Sequence, residues 1–258
     1  MSEILFELLP TSDQRALGCI TLNRPSQLNA INQPMLDQLK SHLERCAHDA
    51  NILAVILTSS SQNFCAGGDV KALLQAGNVD FLAQEYHLDF GLHAYPKPLI
   101  ALLDGVVMGG GLGLAAGAHL RIATKASVYA MPETRIGFIP DVGYRAQLIQ
   151  MQQGFGHLLA LTGAQISSEL ALELGMITHR TSLESADLLK TLGQWCQQWQ
   201  PEPGPILPQL EAFTHSISEP TDSVIAKLAE PLKYWCQHAL RGERYMFNCF
   251  WELYEHCD

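Results

Sequence analysis

The chain has 258 residues, 47% of them hydrophobic and 16% charged, which is enough for one large α/β domain and too apolar for a disordered chain. Its formal net charge of −10 argues against non-specific nucleic-acid binding, which needs a positive surface. Any phosphate-bearing ligand must then be held by local groups such as main-chain amides and a few Arg or Lys.

Residues 4–9 read as a first strand, followed by a turn at Ser12-Asp13-Gln14-Arg15 and a second strand over 16–22. Residues 33–50 form a helix, with Met35, Leu36, Leu39 and Leu43 at helical spacing. The run ILAVILT at 52–58 is apolar throughout, the mark of a strand buried on both faces. A polar loop leads into Phe64-Cys65-Ala66-Gly67-Gly68-Asp69, with Asp69 placed to cap a short helix from Val70. Residues 81–94 form a further helix and 99–103 another apolar strand. Residues 105–117 form a glycine-rich turn entering an apolar helix. A strand over 120–124 precedes the irregular segment 131–143, punctuated by Pro132, Gly137, Pro140 and Gly143. Helices then run to about Leu174, and 177–179 is a last short strand. Apolar strands alternating with helices imply crossover connections and a largely parallel sheet.

After about residue 185 the pattern becomes helical. Trp195, Trp199, Trp235 and Trp251 all lie in that part, and Pro201-Glu202-Pro203-Gly204-Pro205 reads as a stiff linker. The division expected is a core over 1–184 and a helical region over 185–258. Seven scattered Cys without a CxxC pair suggest reduced thiols rather than zinc or a disulfide framework. The acidic start MSEILFELLP is unlike a secretory signal, and no apolar run reaches the roughly 20 residues of a membrane span. Cytoplasmic residence is the expectation.

Two consecutive strand-to-helix loops share one design. Cys65 to Asp69 and Met108 to Gly113 both place small residues where helix-initial amides have no intrahelical partner. One amide from each loop can converge on an oxygen that gains negative charge. Either loop alone is better explained by tight turns and close packing, and it is the repetition of the design that points to function. Glu133 and Asp141 share the foldable segment MPETRIGFIPDVG. Paired carboxylates can divide acid and base roles, yet Glu133 reads equally as a solvated loop acid and Asp141 as a helix cap. No G-x-S-x-G elbow, no H-E-x-x-H and no His beside Cys65 in sequence point to a serine, zinc or thiol hydrolase. Glu85 reads as part of a solvated helical face, and His119 as a strand-end histidine.

The segments LNRPSQLNAIN, FCAGGDVKAL, YPKPLIALLDGVVMGGGLGL, RIATKASVYAMPETRIGFIPDVG and LALTG occur in an order that resembles the enoyl-CoA hydratase/isomerase (crotonase) superfamily. Within it they are most similar to the 3-hydroxyisobutyryl-CoA hydrolase branch. The resemblance covers residues 15–180. It implies a crotonase-like α/β fold of repeated ββα units with a helical C-terminal region. It also implies an oxyanion hole from the amides of Gly68 and Gly110, with Ala66, Gly67, Asp69 and Gly109 lining the CoA path. Hydratases of the family carry one glutamate at the position of Gly113 and a second at that of Glu133. The hydrolase branch lacks the first, keeps the second, and adds an aspartate, here Asp141, and a Glu-Tyr pair, here Glu85 and Tyr86.

The reading that follows is an acyl-CoA thioester hydrolase in branched-chain amino-acid (valine) catabolism. It needs no metal or separate cofactor, because coenzyme A is part of its substrate. Nucleic acid and membrane are not expected partners, and a homo-oligomer is an open expectation. The alternatives are an enoyl-CoA hydratase or isomerase of the same superfamily and a non-catalytic CoA-binding protein.

Overall fold

The computed structural model describes residues 2–76, 80–200, 204–220 and 223–224. The chain begins with β1 (Ile4–Pro10) and β2 (Ala16–Leu22), an antiparallel pair in which Ile4 faces Leu22 and Pro10 faces Ala16. Helix α1 (Gln33–His48) starts where Asn32 accepts a hydrogen bond from the Met35 amide at 2.9 Å. Its apolar stripe buries Met35, Leu36, Leu39, Leu43 and Cys46.

Strand β3 (Ile52–Ser59) follows, then α2 (Val70–Ala76) and α3 (Asp80–His93). Strands β4 (Leu99–Leu103) and β5 (Val106–Met108) lead into helix α4 (Gly110–Ala116). The same step recurs with β6 (Leu120–Thr124) and β7 (Val128–Ala130). Helices α5 (Arg145–Gln150) and α6 (Phe155–Thr162), strand β8 (Ile166–Ser167), helix α7 (Ser168–Glu173) and strand β9 (His179–Thr181) come next. Helices α8 (Ser185–Gln198) and α9 (Leu207–Ser216) follow them.

The strands form two sheets. The larger has the order β1-β2-β3-β4-β6-β9, parallel from β2 onward; the smaller has the order β5-β7-β8. Each pass therefore lays one strand in the large sheet and the next in the small one before a helix returns the chain. The loop after β3 joins this scheme, because Cys65 bridges Val107 in parallel.

The continuous apolar runs are explained by burial on both faces. Successive side chains of a strand point to opposite faces. Val55 and Leu57 of β3 and Leu99, Ala101 and Leu103 of β4 enter the cluster with α1, α3 and α4. Ala54, Ile56, Ile100 and Leu102 enter a second cluster with Leu188, Leu192, Cys196, Trp199, Leu210 and Phe213. Helices α8 and α9 thus cover the back of the large sheet.

Three expectations need adjustment. The glycine-rich stretch contains a strand, β5, before its helix. The last strand lies at His179–Thr181 rather than 177–179, where it pairs with Ile122–Thr124 of β6. The linker's Pro201, Glu202 and Pro203, and both Trp235 and Trp251, lie outside the described residues. Among the described residues no helix is long and apolar enough to cross a membrane. Cys19, Cys46, Cys65 and Cys196 are free and buried.

Candidate active site

The two glycine loops are joined by main-chain bonds. The Cys65 amide donates to the Val106 carbonyl at 2.9 Å, and the Met108 amide returns a bond to the Cys65 carbonyl at 3.0 Å. The first loop is also tied to the turn before α1. Ala66 donates to Leu28 at 3.0 Å, Ile31 to Gly67 at 2.8 Å, and Asp69 to Ile31 at 2.8 Å. Gly67 and Gly109 take φ values of +104° and +50°, conformations that glycine adopts without a Cβ penalty.

Among the described residues the amides of Gly68 and Gly110 donate to no protein acceptor. They lie close together: a Cβ placed on Gly110 would be 3.2 Å from the Gly68 nitrogen. Gly110 is the first residue of α4, so its N–H carries the positive end of the helix. Two unpaired donors this close together beside a cavity have the chemistry to hold an oxygen bearing developing negative charge.

That cavity has a volume of about 510 Å³. Its walls include Ala66, Gly67, Gly68, Asp69, Glu85, Gly109, Gly110, Glu133 and Asp141, while Tyr86 reaches it only through its bond to Asp141. Apolar side chains complete it, among them Phe81 from α3 and Phe138 and Val142 from the irregular segment. Asp69 reaches the wall with its carboxylate already engaged. It caps α2 through the Ala72 amide at 3.0 Å and pairs with Arg24 at 2.8 Å.

The acids have unusual surroundings. Glu133 is 8% exposed, so it is not a solvated loop acid. Burial, with a smaller contribution from Asp141, pushes its carboxyl up to about 7, against the bond its own backbone offers. Its Oε1 would meet a Cβ on Gly109 at 2.9 Å, so that glycine also makes room for the acid. Asp141 does not cap a helix with its side chain. Helix α5 begins after Tyr144 without a side-chain cap, and the Asp141 carboxylate accepts a hydrogen bond from the Tyr86 hydroxyl instead. Burial raises Asp141, and the Tyr86 bond pulls it back.

Helical pattern alone puts Glu85 on a solvated face and the resemblance puts it in the site; the structure buries it on the cavity wall, 2% exposed. Burial, then the charges of Asp141 and Glu133, raise it to about 7. Its Oε1 has no hydrogen-bond partner among the described residues. A Cβ on Gly110 would collide with that atom. Cys65 is fully enclosed, and burial drives its thiol to about 12, which removes it as a nucleophile. His119 is exposed at a strand end, where its Nδ1 accepts from the Leu99 amide at 3.2 Å.

The sequence reading missed one buried acid. Asp89 lies one turn beyond Glu85 on α3, is 1% exposed, and has both carboxyl oxygens without a partner among the described residues. A signal was present: positions 85, 88, 89 and 92 form the buried stripe of α3, and two of the four are acids. Among the described residues no group of three or more His, Cys, Asp or Glu has a metal-holding arrangement.

Comparison with known proteins agrees with this architecture. Residues 17–243 match the family model described as enoyl-CoA hydratase/isomerase. A Gallus gallus protein named mitochondrial 3-hydroxyisobutyryl-CoA hydrolase is 41% identical over 64% of this chain and 45% of its own length. An Arabidopsis thaliana protein named probable 3-hydroxyisobutyryl-CoA hydrolase 3 is 33% identical over 83% of this chain and 56% of its own. The chain spans about half the length of the curated relatives it matches. Among solved structures, a carnitinyl-CoA dehydratase from Mycobacterium thermoresistibile superposes with a TM-score of 0.76 at 29% identity, covering 90% of this chain and 66% of that one. The fold, the paired glycine loops and these matches together place the chain in the enoyl-CoA hydratase/isomerase family.

Proposed function

We propose that this protein hydrolyses the thioester of 3-hydroxyisobutyryl-CoA or a similar short 3-hydroxyacyl-CoA. The observation that carries the reading is the pair of unpartnered amides at Gly68 and Gly110 beside Glu133, whose carboxyl is held near 7. Support for the acyl group comes from the names of the relatives and from Asp141, which stands on the cavity wall as an acceptor for a substrate hydroxyl.

In this mechanism the thioester oxygen enters the seat between Gly68 and Gly110. Ionised Glu133 attacks the carbonyl carbon, or takes a proton from a water that attacks it. Both routes place the same negative charge on the same oxygen, where two amides stabilise it. The C–S bond then breaks, and the departing thiolate takes a proton, for which Asp141 is a candidate donor. If Glu133 is the nucleophile, water subsequently cleaves the acyl–glutamate anhydride and restores the carboxylate. Glu85 borders the acyl group and contributes to substrate binding. No cofactor enters the scheme, because coenzyme A arrives as part of the substrate.

The same reading places the reaction in valine breakdown in the cytoplasm, although several of the relatives are named as mitochondrial. It treats residues 1–184 as the CoA-binding core and the part from 185 onward as a helical C-terminal region, of which α8 and α9 are the described elements and residues 225–258 lie outside the described residues. Exposed apolar side chains at Ile139, Ile149 and Leu161 support self-association, which sedimentation would test.

The test is free-thiol release from 3-hydroxyisobutyryl-CoA, 3-hydroxypropionyl-CoA and crotonyl-CoA by the wild type and by Glu133→Gln. Release from a 3-hydroxyacyl-CoA that disappears in the variant is the expected result. Loss of enoyl absorbance from crotonyl-CoA without thiol release from any substrate would overturn the reading. Binding of CoA with no turnover would leave a CoA-binding protein.

A further inference from the structure

Asp89 has no role in the scheme above, yet it lies against the site. Its side chain is almost fully enclosed, and neither oxygen meets a donor among the described residues. The space it fills is left open by α4. A Cβ on Gly113 would lie 2.6 Å from Asp89 Oδ2 and 2.8 Å from the Val142 Cβ. Helix α4, with the sequence GGLGLAA, faces it with no ionisable group. The ionisable groups that act on or feel Asp89 are Glu85 and Tyr86 on its own helix, Asp141 on the irregular segment, and Cys65 on the loop after β3. None of them is a cation.

We propose that Asp89 is a positioning residue: a neutral carboxyl that braces Glu85 from one helical turn behind and holds it against the Gly68–Gly110 amide pair. An ionised Asp89 would be a buried charge without a hydrogen-bond donor or a counter-charge, a state that proteins avoid by keeping the proton. Burial, followed by the charges of Glu85 and Asp141, pushes Asp89 well above the usual carboxylate range. The neutral acid still carries one O–H to direct towards Glu85, directly or through a water. Glu85 needs such a fixed position because its carboxyl packs on the glycine pair. A Cβ on Gly68 would lie 3.6 Å from both of its oxygens.

Only the turnover arm of the test rests on the hydrolase reading. Wild type, Asp89→Asn and Asp89→Leu are compared by infrared spectroscopy and by thiol release, with melting curves to confirm folding. At a pH just above the ionisation of Glu85, the wild type keeps a protonated-carboxyl stretch that Asp89→Asn removes. The Glu85 titration, identified with Glu85→Gln, stays in place in Asp89→Asn and moves upward in Asp89→Leu, which has lost the donor. The Asn variant keeps kcat within about threefold, whereas Leu loses roughly 10- to 100-fold in kcat with KM little changed. Absence of the band, an Asn variant as damaged as Leu, or a Leu variant that matches the wild type in both arms would overturn the proposal. If the wild type releases no thiol, the hydrolase reading fails, and the infrared titration of Glu85 still decides for or against Asp89.

Discussion

Placing a methyl group at Gly113 sets two effects against each other. Alanine inside a helix is favoured over glycine by about 1 kcal/mol. The added Cβ, however, would fall 2.6 Å from Asp89 Oδ2 and 2.8 Å from the Val142 Cβ, both well inside ordinary carbon contact at about 3.5 Å. Neither neighbour yields easily. Asp89 is enclosed on all sides. Val142 holds a φ of +45°, a region that a β-branched residue occupies only under constraint from its surroundings. Overpacking of this kind typically costs about 1–3 kcal/mol, so crowding outweighs propensity by up to roughly 2 kcal/mol. Gly113→Ala should therefore melt below the wild type by up to about 8 °C, at about 2–4 °C per kcal/mol for a chain of this size. The displacement should also be felt in turnover, because Asp141 precedes Val142 and accepts from Tyr86. A fall of about 10-fold in kcat is expected. Calorimetry and thiol release measure the two effects. A variant that melts higher than the wild type and turns over normally would show that the notch beside Asp89 admits a methyl group without crowding, and would refute the overpacking.

Further outcomes follow from the same site. Glu133→Gln should lower kcat by ~10²–10⁴ with a smaller change in KM, measured as thiol release under saturating substrate. In the wild type the rate should climb as pH rises through about 7, where Glu133 gains its charge, and a rate flat from pH 5 to 8 would contradict the assignment. Glu85 is raised from 4.5 to about 7 on folding, so its contribution to stability is fully present below 4.5 and is lost as pH rises through about 7. Glu85→Gln keeps the neutral form throughout. Relative to the wild type it should gain about 1–3 kcal/mol between pH 5 and pH 8 in urea melts, and a constant difference would refute the sign. Cys65 should resist alkylation in the folded protein and react on unfolding, read by peptide mass spectrometry, since its thiol is enclosed and held near 12.

The elements legible in the sequence were those long enough to show a period. The apolar run of β3 and the stripe of α1 announced themselves, whereas β5, β7 and β8 have three, three and two residues and offer no period at all. Their existence depends on partners far along the chain, such as Val106 with Val128. At the site, the glycine loops were visible because small residues at two successive strand ends are uncommon without a reason. The convergence of Glu85, Glu133 and Asp141 on one cavity came from the family resemblance rather than from spacing. Asp89 escaped because acids on a helix are ordinarily solvent-facing, and a stripe that is half acidic is easily assigned to the wrong face.

The seat proposed for the thioester oxygen is made from main-chain atoms, and its two halves are fastened by the bonds between Cys65 and the Val106–Met108 strand. Side-chain substitution nearby leaves those bonds intact as long as the glycines stay. The acids around the seat come from separate places, α3 and the irregular segment, and any of them can be exchanged without dismantling it. A lineage built on this frame can therefore change its chemistry one acid at a time while its grip on the carbonyl persists. Here curated relatives bear a hydrolase name and a superposable structure bears a dehydratase name. Divergence of that sort is what an oxygen seat made of backbone alone permits.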